Sequence, residues 1–353
     1  MKITELRKKI DGLDKRIVEL LNSRAALIQD IAELKKKTKK GIYVPEREIE
    51  VYKKIVKYNK GAMLPEQIKN IYREVMSASL ALEKGIIVAF LGPAATFTQL
   101  AALKKFGSSI DYKQCSSITD IFSEVEKSNV DFGVVPIENS FEGAVNHTLD
   151  MFIESELKIC SEIYLNVTHY LLSKSLKLKG VKKIYSKSEV FGQCRRWLQE
   201  NAYGADLTEV SSTARAAQIA AKDNSSACIA SKMAKDIYGL NILASSIEDA
   251  PYNVTRFLVI GKTQANPTGK DRTSIMFSIK DKIGALHAML VPFKKHNINL
   301  TKIESRPSKK KAWDYYFFVD LEGHHQDSKV KKALSELSAL ASSFKILGSY
   351  PKA

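Results

Sequence analysis

The chain has 353 residues, of which 44% are hydrophobic and 27% charged, a composition typical of globular proteins. This length predicts two or three domains. No run of the sequence approaches the ~18 consecutive apolar residues of a membrane-spanning helix, and the N-terminus lacks the apolar core of a signal peptide. Four scattered cysteines without metal-ligand spacing predict free thiols in a reducing cytoplasm, and neither a metal nor a cofactor is expected.

The formal net charge of +16 resides in the two ends of the chain. Residues 1–85 carry 20 Lys and Arg against 12 acidic residues, residues 267–353 carry 16 against 8, and the middle is neutral. A nucleic-acid-binding protein concentrates cations on one face with interleaved aromatic residues. The distribution of charge along this chain does not indicate such a face. Small anionic substrates, attracted by long-range steering, are the favoured partners. Neither nucleic acid nor a membrane is expected as a partner.

Three amphipathic helices are predicted at the N-terminus. Apolar residues recur in 4-3 steps over residues 6–34, which predicts one helix of roughly 33 residues and ~50 Å. Pro45 and Pro65 each suit a first helical position, so a second helix is predicted over 46–60 and a third over 66–84. A helix as long as the first cannot stand alone, and it needs these partners.

One inward position of the first helix is occupied by Arg24, and a buried Arg is rare unless it meets an anion. Lys35 lies close to the same azimuth, whereas Arg7 faces well away from it. A single anionic ligand would therefore meet all three cations only if Arg7 came from a second copy of the chain. Ser79 and Glu83 continue the inner stripe of the third helix. The alternative is a plain coiled-coil dimer in which Arg24 sets the register.

Strands and helices alternate between residues 86 and 262, which predicts an α/β domain. A strand at Phe132–Val135 runs into Pro136 and a polar loop, and further polar residues stand at or near other strand ends and helix starts. Open α/β sheets bind ligands at such edges, so a cleft shared around one sheet is predicted. The candidate residues are Thr96, Asn139, Ser140, Ser186, Gln193, Ser212, Thr213, Thr255 and Arg256. A GxGxxG fingerprint is absent from the sequence, which argues against a nucleotide site.

The remaining sequence, after a linker at 264–270, predicts a ferredoxin-like α+β sandwich with the order βαββαβ. Its predicted elements are strand Thr273–Ile279, helix Ala285–Lys295, strands Ile298–Glu304 and Trp313–Asp320, helix Lys329–Leu340 and strand Phe344–Leu347. The chain is thus predicted to be multidomain, with an all-α domain over 1–85, an α/β domain over 86–262 and an α+β domain over 271–350.

Residues 3–84 resemble the all-helical chorismate mutases in the order and spacing of three motifs. These are Leu-Arg-Lys-Lys-Ile-Asp-Gly-Leu-Asp at 6–14, Val-Pro-Glu-Arg-Glu at 44–48 and Ser-Ala-Ser-Leu-Ala-Leu-Glu at 77–83. The resemblance implies a pocket for the dicarboxylate chorismate, lined by Arg7, Arg24, Lys35, Arg47, Glu48, Ser79 and Glu83. Arg clamps would hold the compact conformer, while Lys35 and a protonated Glu83 donate to the ether oxygen as it gains charge. Val44 stands where some members have an acidic residue.

Residues 86–262 resemble prephenate dehydratases. The likeness rests on Pro-Ile-Glu-Asn-Ser at 136–140, Gln-Cys at 193–194, Thr-Arg-Phe at 255–257, and Gly-Pro-x-Gly-Thr-Phe at 92–97, in which Ala95 replaces the second Gly. Lys187-Ser188 stands where the family often has His-Pro. The resemblance implies two α/β lobes with a cleft, similar to periplasmic ligand-binding proteins. It also implies that Thr255 donates to the departing hydroxyl of prephenate, and that Asn139, Ser186 and Gln193 orient the substrate.

Two motifs of the C-terminal part resemble those by which the regulatory ACT domain of this family binds phenylalanine. They are Gly284-Ala285-Leu286, followed by His287 in place of an aliphatic residue, and Glu304-Ser305-Arg306-Pro307. The resemblance implies that Gly284, Ala285, Leu286, Glu304, Ser305 and Arg306 bind phenylalanine, which lowers dehydratase activity. Gly284 before a helix permits close backbone approach and offers free N–H groups to a carboxylate.

The three resemblances follow the order seen in bifunctional chorismate mutase–prephenate dehydratases. The sequence therefore predicts an enzyme that converts chorismate to prephenate, and prephenate to phenylpyruvate with loss of water and CO2, under feedback by phenylalanine. It predicts a homodimer through the N-terminal helices and leaves a tetramer open.

Three other interpretations fit parts of the sequence. A mutase fused to a prephenate dehydrogenase fails because the sequence lacks a strand-linked dinucleotide fingerprint. A non-catalytic two-lobed amino-acid-binding or sensor protein would share the middle and C-terminal folds, but it leaves the cationic set of the helices unexplained. A basic helical DNA-binding protein would show strongly salt-dependent binding to duplex DNA.

Overall fold

The computed structural model describes residues 2–38, 43–202, 204–280, 282–308 and 315–353. The chain forms two compact units. One comprises Met1–Ile87 together with Lys105–Asp111, and the other comprises Val88–Lys104 and Tyr112–Ala353.

The helical unit consists of α1 (Ile3–Thr38), α2 (Pro45–Tyr58) and α3 (Pro65–Glu83). Both prolines stand at the helix start, where a missing N–H breaks no hydrogen bond, as predicted. α1 packs on α3, and α3 packs on α2. Much of the apolar stripe of α1 faces solvent, including Leu6, Ile10, Leu13, Ile17, Leu20, Leu27 and Leu34. A helix of 36 residues with this face uncovered needs a partner surface.

The segment Lys105–Asp111 belongs to the helical unit although it is distant in sequence. The side chain of Glu74 accepts hydrogen bonds from the N–H and the hydroxyl of Ser108, at 2.8 and 2.7 Å. Burial alone would raise the pKa of Glu74, but these hydrogen bonds hold that pKa below its ordinary value. Gly107 adopts φ +74°, and a Cβ on it would lie 2.6 Å from the Cβ of Ser77. Only glycine therefore fits at this close approach.

The α/β part begins with β1 (Ile87–Leu91), α4 (Phe97–Phe106), β2 (Asp111–Cys115), α5 (Ile118–Glu126), β3 (Phe132–Asn139), β4 (Gly143–Ala144), α6 (Asn146–Glu154) and β5 (Lys158–Asn166). It continues with β6 (Tyr170–Ser173), β7 (Lys183–Ser186), α7 (Ser188–Gln193), α8 (Arg195–Asn201), β8 (Asp206–Glu209), α9 (Thr213–Ala220), β9 (Ser226–Ala230), α10 (Lys232–Tyr238) and β10 (Asn241–Ser245). The chain then returns as β11 (Val254–Gly261).

These strands form two sheets rather than one. The first has the order β2-β1-β3-β11-β5, with β4 paired to β3, and the second has the order β10-β6-β9-β7-β8. The expectation of polar junctions around one sheet is wrong in this respect, because the candidate residues are divided between two sheets. The predicted division into two α/β lobes is confirmed.

The strand β3 is longer than predicted, because it passes through Pro136 and ends at Asn139. Its pairing with β1 extends only to Phe90–Val134, so the missing N–H of Pro136 breaks no hydrogen bond on that side. On the other side a register shift places Pro136 opposite Phe257 and Glu138 opposite Arg256. This irregularity lies at Ile137, directly before the residues that reach the cleft.

The C-terminal part contains β12 (Asp271–Ser278), α11 (Ala285–Lys295), β13 (Leu300–Pro307), β14 (Tyr315–Glu322), α12 (Ser328–Leu340) and β15 (Ser343–Pro351). The antiparallel sheet has the order β13-β14-β12-β15. Its core includes Phe277, Phe293, Val319 and Leu337. The predicted βαββαβ order is confirmed, with strand bounds shifted by a few residues; the predicted strand start at Trp313 lies outside the described residues.

Two candidate active sites and a candidate effector site

A cavity of about 460 Å³ lies within the helical unit. Six of the seven residues predicted for the mutase pocket line it: Arg24, Lys35, Arg47, Glu48, Ser79 and Glu83. α1 supplies the first two, α2 the next two and α3 the last two, so residues distant in sequence meet around one space. Val44 also lines this cavity.

Two polar pairs form one wall of this cavity. Arg24 donates from Nη1 to Ser79 Oγ, whose own hydroxyl donates to the carbonyl of Val75 at 2.7 Å. Lys35 Nζ lies 2.7 Å from Glu83 Oε1. The Glu83 side chain is only 8% exposed and that of Lys35 is 23% exposed, so the carboxylate is the better shielded partner. Arg24 and Lys35 are thus the cationic donors of this wall, and Glu83 as a further donor stays a prediction.

A second group of residues surrounds Glu48. Its Oε2 accepts a hydrogen bond from the hydroxyl of Tyr43 at 3.0 Å and lies 3.0 Å from Lys105 Nζ. The Lys105 ammonium is also 5.9 Å from the centre of the Tyr43 ring. Arg47, which also lines the cavity, is exposed and pairs with Glu50 at 2.7 Å. The hydrogen bond from Arg47 holds the pKa of Glu50 below its ordinary value.

The charge of the cavity lining favours an anionic ligand. Within the described part of the chain, five cations and two carboxylates line it, and the cations are Arg24, Lys35, Arg47, Arg73 and Lys105. Sequence reasoning missed Tyr43, Arg73 and Lys105. Lys105 carries no local signal, since it stands some twenty residues beyond the last mutase motif.

Arg7 is the one predicted mutase residue outside the cavity. It precedes Arg24 on α1 by 17 residues, which is ~25 Å along a helix. No side chain spans that distance, so Arg7 cannot reach the cavity of its own chain.

The second cavity, of about 690 Å³, lies between the two α/β lobes. Six of the nine residues predicted for the dehydratase site line it: Thr96, Asn139, Gln193, Ser212, Thr213 and Thr255. The Ser212 side chain caps α9 by accepting a hydrogen bond from the N–H of Arg215. The Thr96 hydroxyl likewise accepts a hydrogen bond from the N–H of Gln99 at the start of α4. The two lobes thus present helix starts to the same space.

A chain of amide and hydroxyl groups crosses the floor of the cleft. Asn139 Nδ2 donates to Thr255 Oγ1 at 2.8 Å and to Asn253 Oδ1 at 2.7 Å. Asn253 Nδ2 donates in turn to Gln193 Oε1 at 2.9 Å, and Gln193 Nε2 donates to Glu142 at 2.9 Å. Because the Thr255 oxygen accepts from Asn139, its hydroxyl proton points to another acceptor, and the cleft is where a ligand would supply one.

His169 belongs to this cleft and was missed from the sequence. It is 1% exposed, its Nε2 lies 2.8 Å from Gln193 Oε1, and its ring meets Phe97 edge-on at 5.8 Å. Its Nδ1 has no hydrogen-bond partner among the described residues. Burial lowers the pKa of His169 because it disfavours the charged imidazolium. His169 lies in the short connection between β5 and β6, and a lone His beside apolar strands gave no signal that would separate it from a core residue.

Three predicted dehydratase residues lie elsewhere, which corrects the sequence-based set. Ser140 lies beyond the last β3 residue and donates to the carbonyl of Tyr252 at 3.1 Å. Ser186 is fully buried and donates to the carbonyl of Ile229 at 2.9 Å, so it stabilises the second sheet. Arg256 follows Thr255 on β11, and alternate residues of a strand face opposite sides, so its side chain points away from the cleft.

Ala95 keeps the backbone conformation that glycine favours. Its φ is +73°, in the left-handed region. The N–H of Ala95 donates to Gln99 Oε1 at 2.7 Å, and its carbonyl accepts from Ser231 at 2.8 Å. These bonds hold the loop before α4 although the second Gly of the motif is replaced.

A third cavity, of about 270 Å³, lies at the start of α11. Gly284, Ala285 and Leu286 line it as predicted, together with Lys280, Lys282, His287 and Phe317. Gly284 has φ +75° and is the N-cap of α11. The predicted residues Glu304, Ser305 and Arg306 do not line this cavity, and their contact with phenylalanine stays a prediction. Arg306 instead pairs with Asp150 of α6 at 3.1 Å, and Ser305 faces solvent.

The described residues contain no cluster of side chains suited to a metal ion, and no helix among them is long and apolar enough to cross a membrane. The helical cavity, the two-lobed cleft and the C-terminal sandwich define a multidomain enzyme with two reaction sites in separate folds. Family models match in the same order: Chorismate mutase type II at residues 6–84, Prephenate dehydratase at 88–265 and ACT domain at 273–339.

The chain belongs to the family of bifunctional chorismate mutase/prephenate dehydratases. It is 53% identical over 355 residues to the protein of that name from Aquifex aeolicus, covering 99% of this chain and 98% of the relative. Membership confirms the predicted family, the three-domain fold class and the pairing of a mutase with a dehydratase in one chain.

Two solved structures resemble the α/β and C-terminal parts. A prephenate dehydratase from Arthrobacter aurescens in complex with L-Phe is 33% identical with a TM-score of 0.72, covering 76% of this chain and 90% of that one. A protein described as a quorum quenching acylase, GqqA, is 27% identical with a TM-score of 0.70, covering 76% and 98%. One fold thus accompanies two described activities, and which reaction such a fold performs depends on the residues of its site.

Proposed function

We propose that the helical cavity binds chorismate and rearranges it to prephenate. Chorismate is a dicarboxylate, and the reaction is intramolecular with no proton to move, so a site that clamps both carboxylates catalyses it by positioning. Three more cations than carboxylates in the lining support this assignment. Lys35, oriented by Glu83 at 2.7 Å, donates to the ether oxygen as its bond breaks and negative charge develops.

The mutase site is proposed to be completed by a second copy of the chain. Arg7 cannot reach its own cavity, and the exposed apolar stripe of α1 around it is suited to a homodimer. Mixing the Arg7→Ala and Arg24→Ala variants tests this arrangement. Each variant alone should be inactive, whereas the mixture should regain about a quarter of the wild-type mutase activity, because one site in each mixed dimer has both arginines. A mixture that stays inactive contradicts the shared site. Pairing of dimers into a tetramer is a further, separate proposal.

The two-lobed cleft is proposed to convert prephenate to phenylpyruvate. The bond to the departing carboxylate breaks, its electrons enter the ring, and the ring hydroxyl leaves with one added proton, so the products are CO2 and water. Thr255 donates the hydrogen bond to that hydroxyl, since its oxygen is already held by Asn139 at 2.8 Å. The Asn139–Thr255 pair is the observation that carries this assignment.

Phenylalanine is proposed as the effector, bound at the cavity before α11. The N–H groups at the start of α11 and the neighbouring Lys280 and Lys282 suit its carboxylate, and Phe317 offers an apolar contact. The proposed location is the cytoplasm. All four cysteines lie in the described part of the chain as buried free thiols, the state expected in a reducing compartment.

One coupled assay tests the two activities and the effector together. Loss of chorismate and appearance of phenylpyruvate are followed with the purified full chain, with and without phenylalanine. Both steps should proceed, and phenylalanine should slow only the second. Absence of turnover with retained phenylalanine binding would favour the sensor alternative.

A further inference from the structure

A buried ionic cluster joins the C-terminal sheet to the first α/β sheet. Three cations meet three carboxylates in it, Arg256, Arg272 and Lys302 against Glu138, Glu162 and Asp320. Arg256 lies at its centre, 2.9 Å from Glu162, 3.1 Å from Glu138 and 2.6 Å from Asp320, and it also donates to the Tyr350 hydroxyl at 2.8 Å. The charges balance, as buried ions require.

Each partner of Arg256 is on a different strand. Glu138 is on β3 and Glu162 on β5 of the α/β sheet, while Asp320 is on β14 and Tyr350 on β15 of the C-terminal sheet. A shift of the C-terminal sheet therefore moves the groups that hold Arg256 in place.

On β3 and on β11, the residue of this cluster is the direct chain neighbour of a residue of the dehydratase site. Thr255 pairs with Asn139 across β11 and β3, and Arg256 pairs with Glu138 as the next cross-strand pair. Alternate residues face opposite sides of a sheet. The Asn139–Thr255 pair thus faces the cleft, and the Glu138–Arg256 pair on the same two strands faces the C-terminal domain.

The strand β13 contacts the α/β part at two points that bracket one loop. Lys302 pairs with Glu138, which precedes Asn139 at the end of β3. Arg306, four residues along the same face of β13, pairs with Asp150 of α6 at 3.1 Å. Between these anchors runs the segment 140–145, which contains β4 and whose residues Glu142 to Val145 line the cleft.

We propose that Glu138 and Arg256 are positioning residues for the dehydratase site. Through them, the position of β13 determines how the side chains of Asn139 and Thr255 are oriented in the cleft. An effector that shifts β13 pulls on Glu138 through Lys302, and the cross-strand pair passes this movement to the neighbouring pair in the cleft. This inference rests on the proposed inhibition by phenylalanine and names the contact that transmits it.

The test is Lys302→Met in the full chain, with Lys302→Arg as the charge-conserving variant and Lys329→Met, an exposed lysine of α12, as the control. Lys302→Met should bind phenylalanine with unchanged Kd by calorimetry, while the inhibition of the dehydratase at saturating phenylalanine falls severalfold, because bound phenylalanine is no longer coupled to the cleft. Lys302→Arg and Lys329→Met should be inhibited as the wild type, and mutase turnover should be unchanged in all variants.

Equal inhibition of Lys302→Met and the wild type would overturn the inference. A wild type that neither binds phenylalanine nor is inhibited overturns the proposed regulation itself. If Lys302→Met fails to fold, Glu138→Gln serves instead. It should lower kcat of the dehydratase with little change in KM, because the cleft is misaligned after substrate binding, and an unchanged kcat would contradict the positioning role.

Discussion

Asn139 and Thr255 are direct cross-strand neighbours, and the amide of Asn139 donates to the Thr255 hydroxyl oxygen at 2.8 Å. The hydroxyl proton of Thr255 is therefore not used in this bond and can be donated to a ligand in the cleft. Thr255→Val keeps the shape of the side chain and removes the hydroxyl, so we expect dehydratase kcat to fall about a hundred- to a thousandfold. Thr255→Ser, which keeps the hydroxyl, should retain most of the activity. Steady-state kinetics with prephenate measure both variants. Similar kcat values for Thr255→Val and Thr255→Ser would show that the Thr255 hydroxyl is not the donor to the departing group.

Arg24 is held by Ser79 in the helical cavity, and its removal should affect one activity alone. We expect Arg24→Ala to lower mutase kcat/KM about a hundredfold or more, since a positioned cation is lost. Dehydratase turnover should be unchanged. Arg16→Ala, an exposed arginine of the same helix, is the matched control and should retain full mutase activity. Unchanged chorismate turnover in Arg24→Ala would contradict the assignment of this cavity.

Lys105 is 17% exposed and lies 3.0 Å from Glu48. We expect Lys105→Met to lower mutase kcat/KM about tenfold, because Glu48 loses its cationic partner and the cavity loses one cation. Lys105→Arg should preserve most of the activity. The exposed Lys57→Met on α2 is the control for net charge. If Lys105→Met matches this control in chorismate kinetics, Lys105 has only a structural role.

The lowered pKa of His169 predicts a pH dependence of stability. Its ordinary value is 6.5, so on acidification the unfolded chain takes up the proton before the folded chain does. The contribution of neutral His169 to the free energy of unfolding is therefore fully present above about pH 6.5. It is lost at up to ~1.4 kcal/mol per pH unit as the pH falls from there towards the pKa of His169 in the folded chain.

The variant His169→Gln cannot titrate and isolates this contribution. Urea unfolding of both proteins between about pH 5 and 8 should give stability curves that diverge only on the acid side. His325, whose pKa burial also lowers, is present in both proteins and cancels in the difference. Parallel curves would show that His169 does not carry the effect.

The sequence predicted the elements well where the signal was local. Pro45 and Pro65 placed two helix starts to within one residue, because proline at the first helical position is a strong boundary signal. Successive residues of a strand face opposite sides of the sheet, so Thr255 and Arg256 cannot both point into the cleft. Applied to β11, this rule would have removed Arg256 from the predicted site.

Other features depend on contacts that no local pattern encodes. Lys105 meets Glu48 only after the chain has folded back. Ser186 stands at the end of a strand as a ligand-binding serine would, yet its hydroxyl donates a hydrogen bond to a backbone carbonyl of β9. The continuation of β3 through Pro136 depended on where its neighbour β1 ends.

The segment Lys105–Asp111 has a consequence for how the two enzymes can be separated. A mutase fragment that stopped at residue 85 would lose Lys105 from its cavity lining and would leave the carboxylate of Glu74 without Ser108. A dehydratase fragment starting at residue 86 would carry that segment away from the helices it packs on. No single cleavage point yields both catalysts whole, so gene fission in this lineage would require compensating change in the helices.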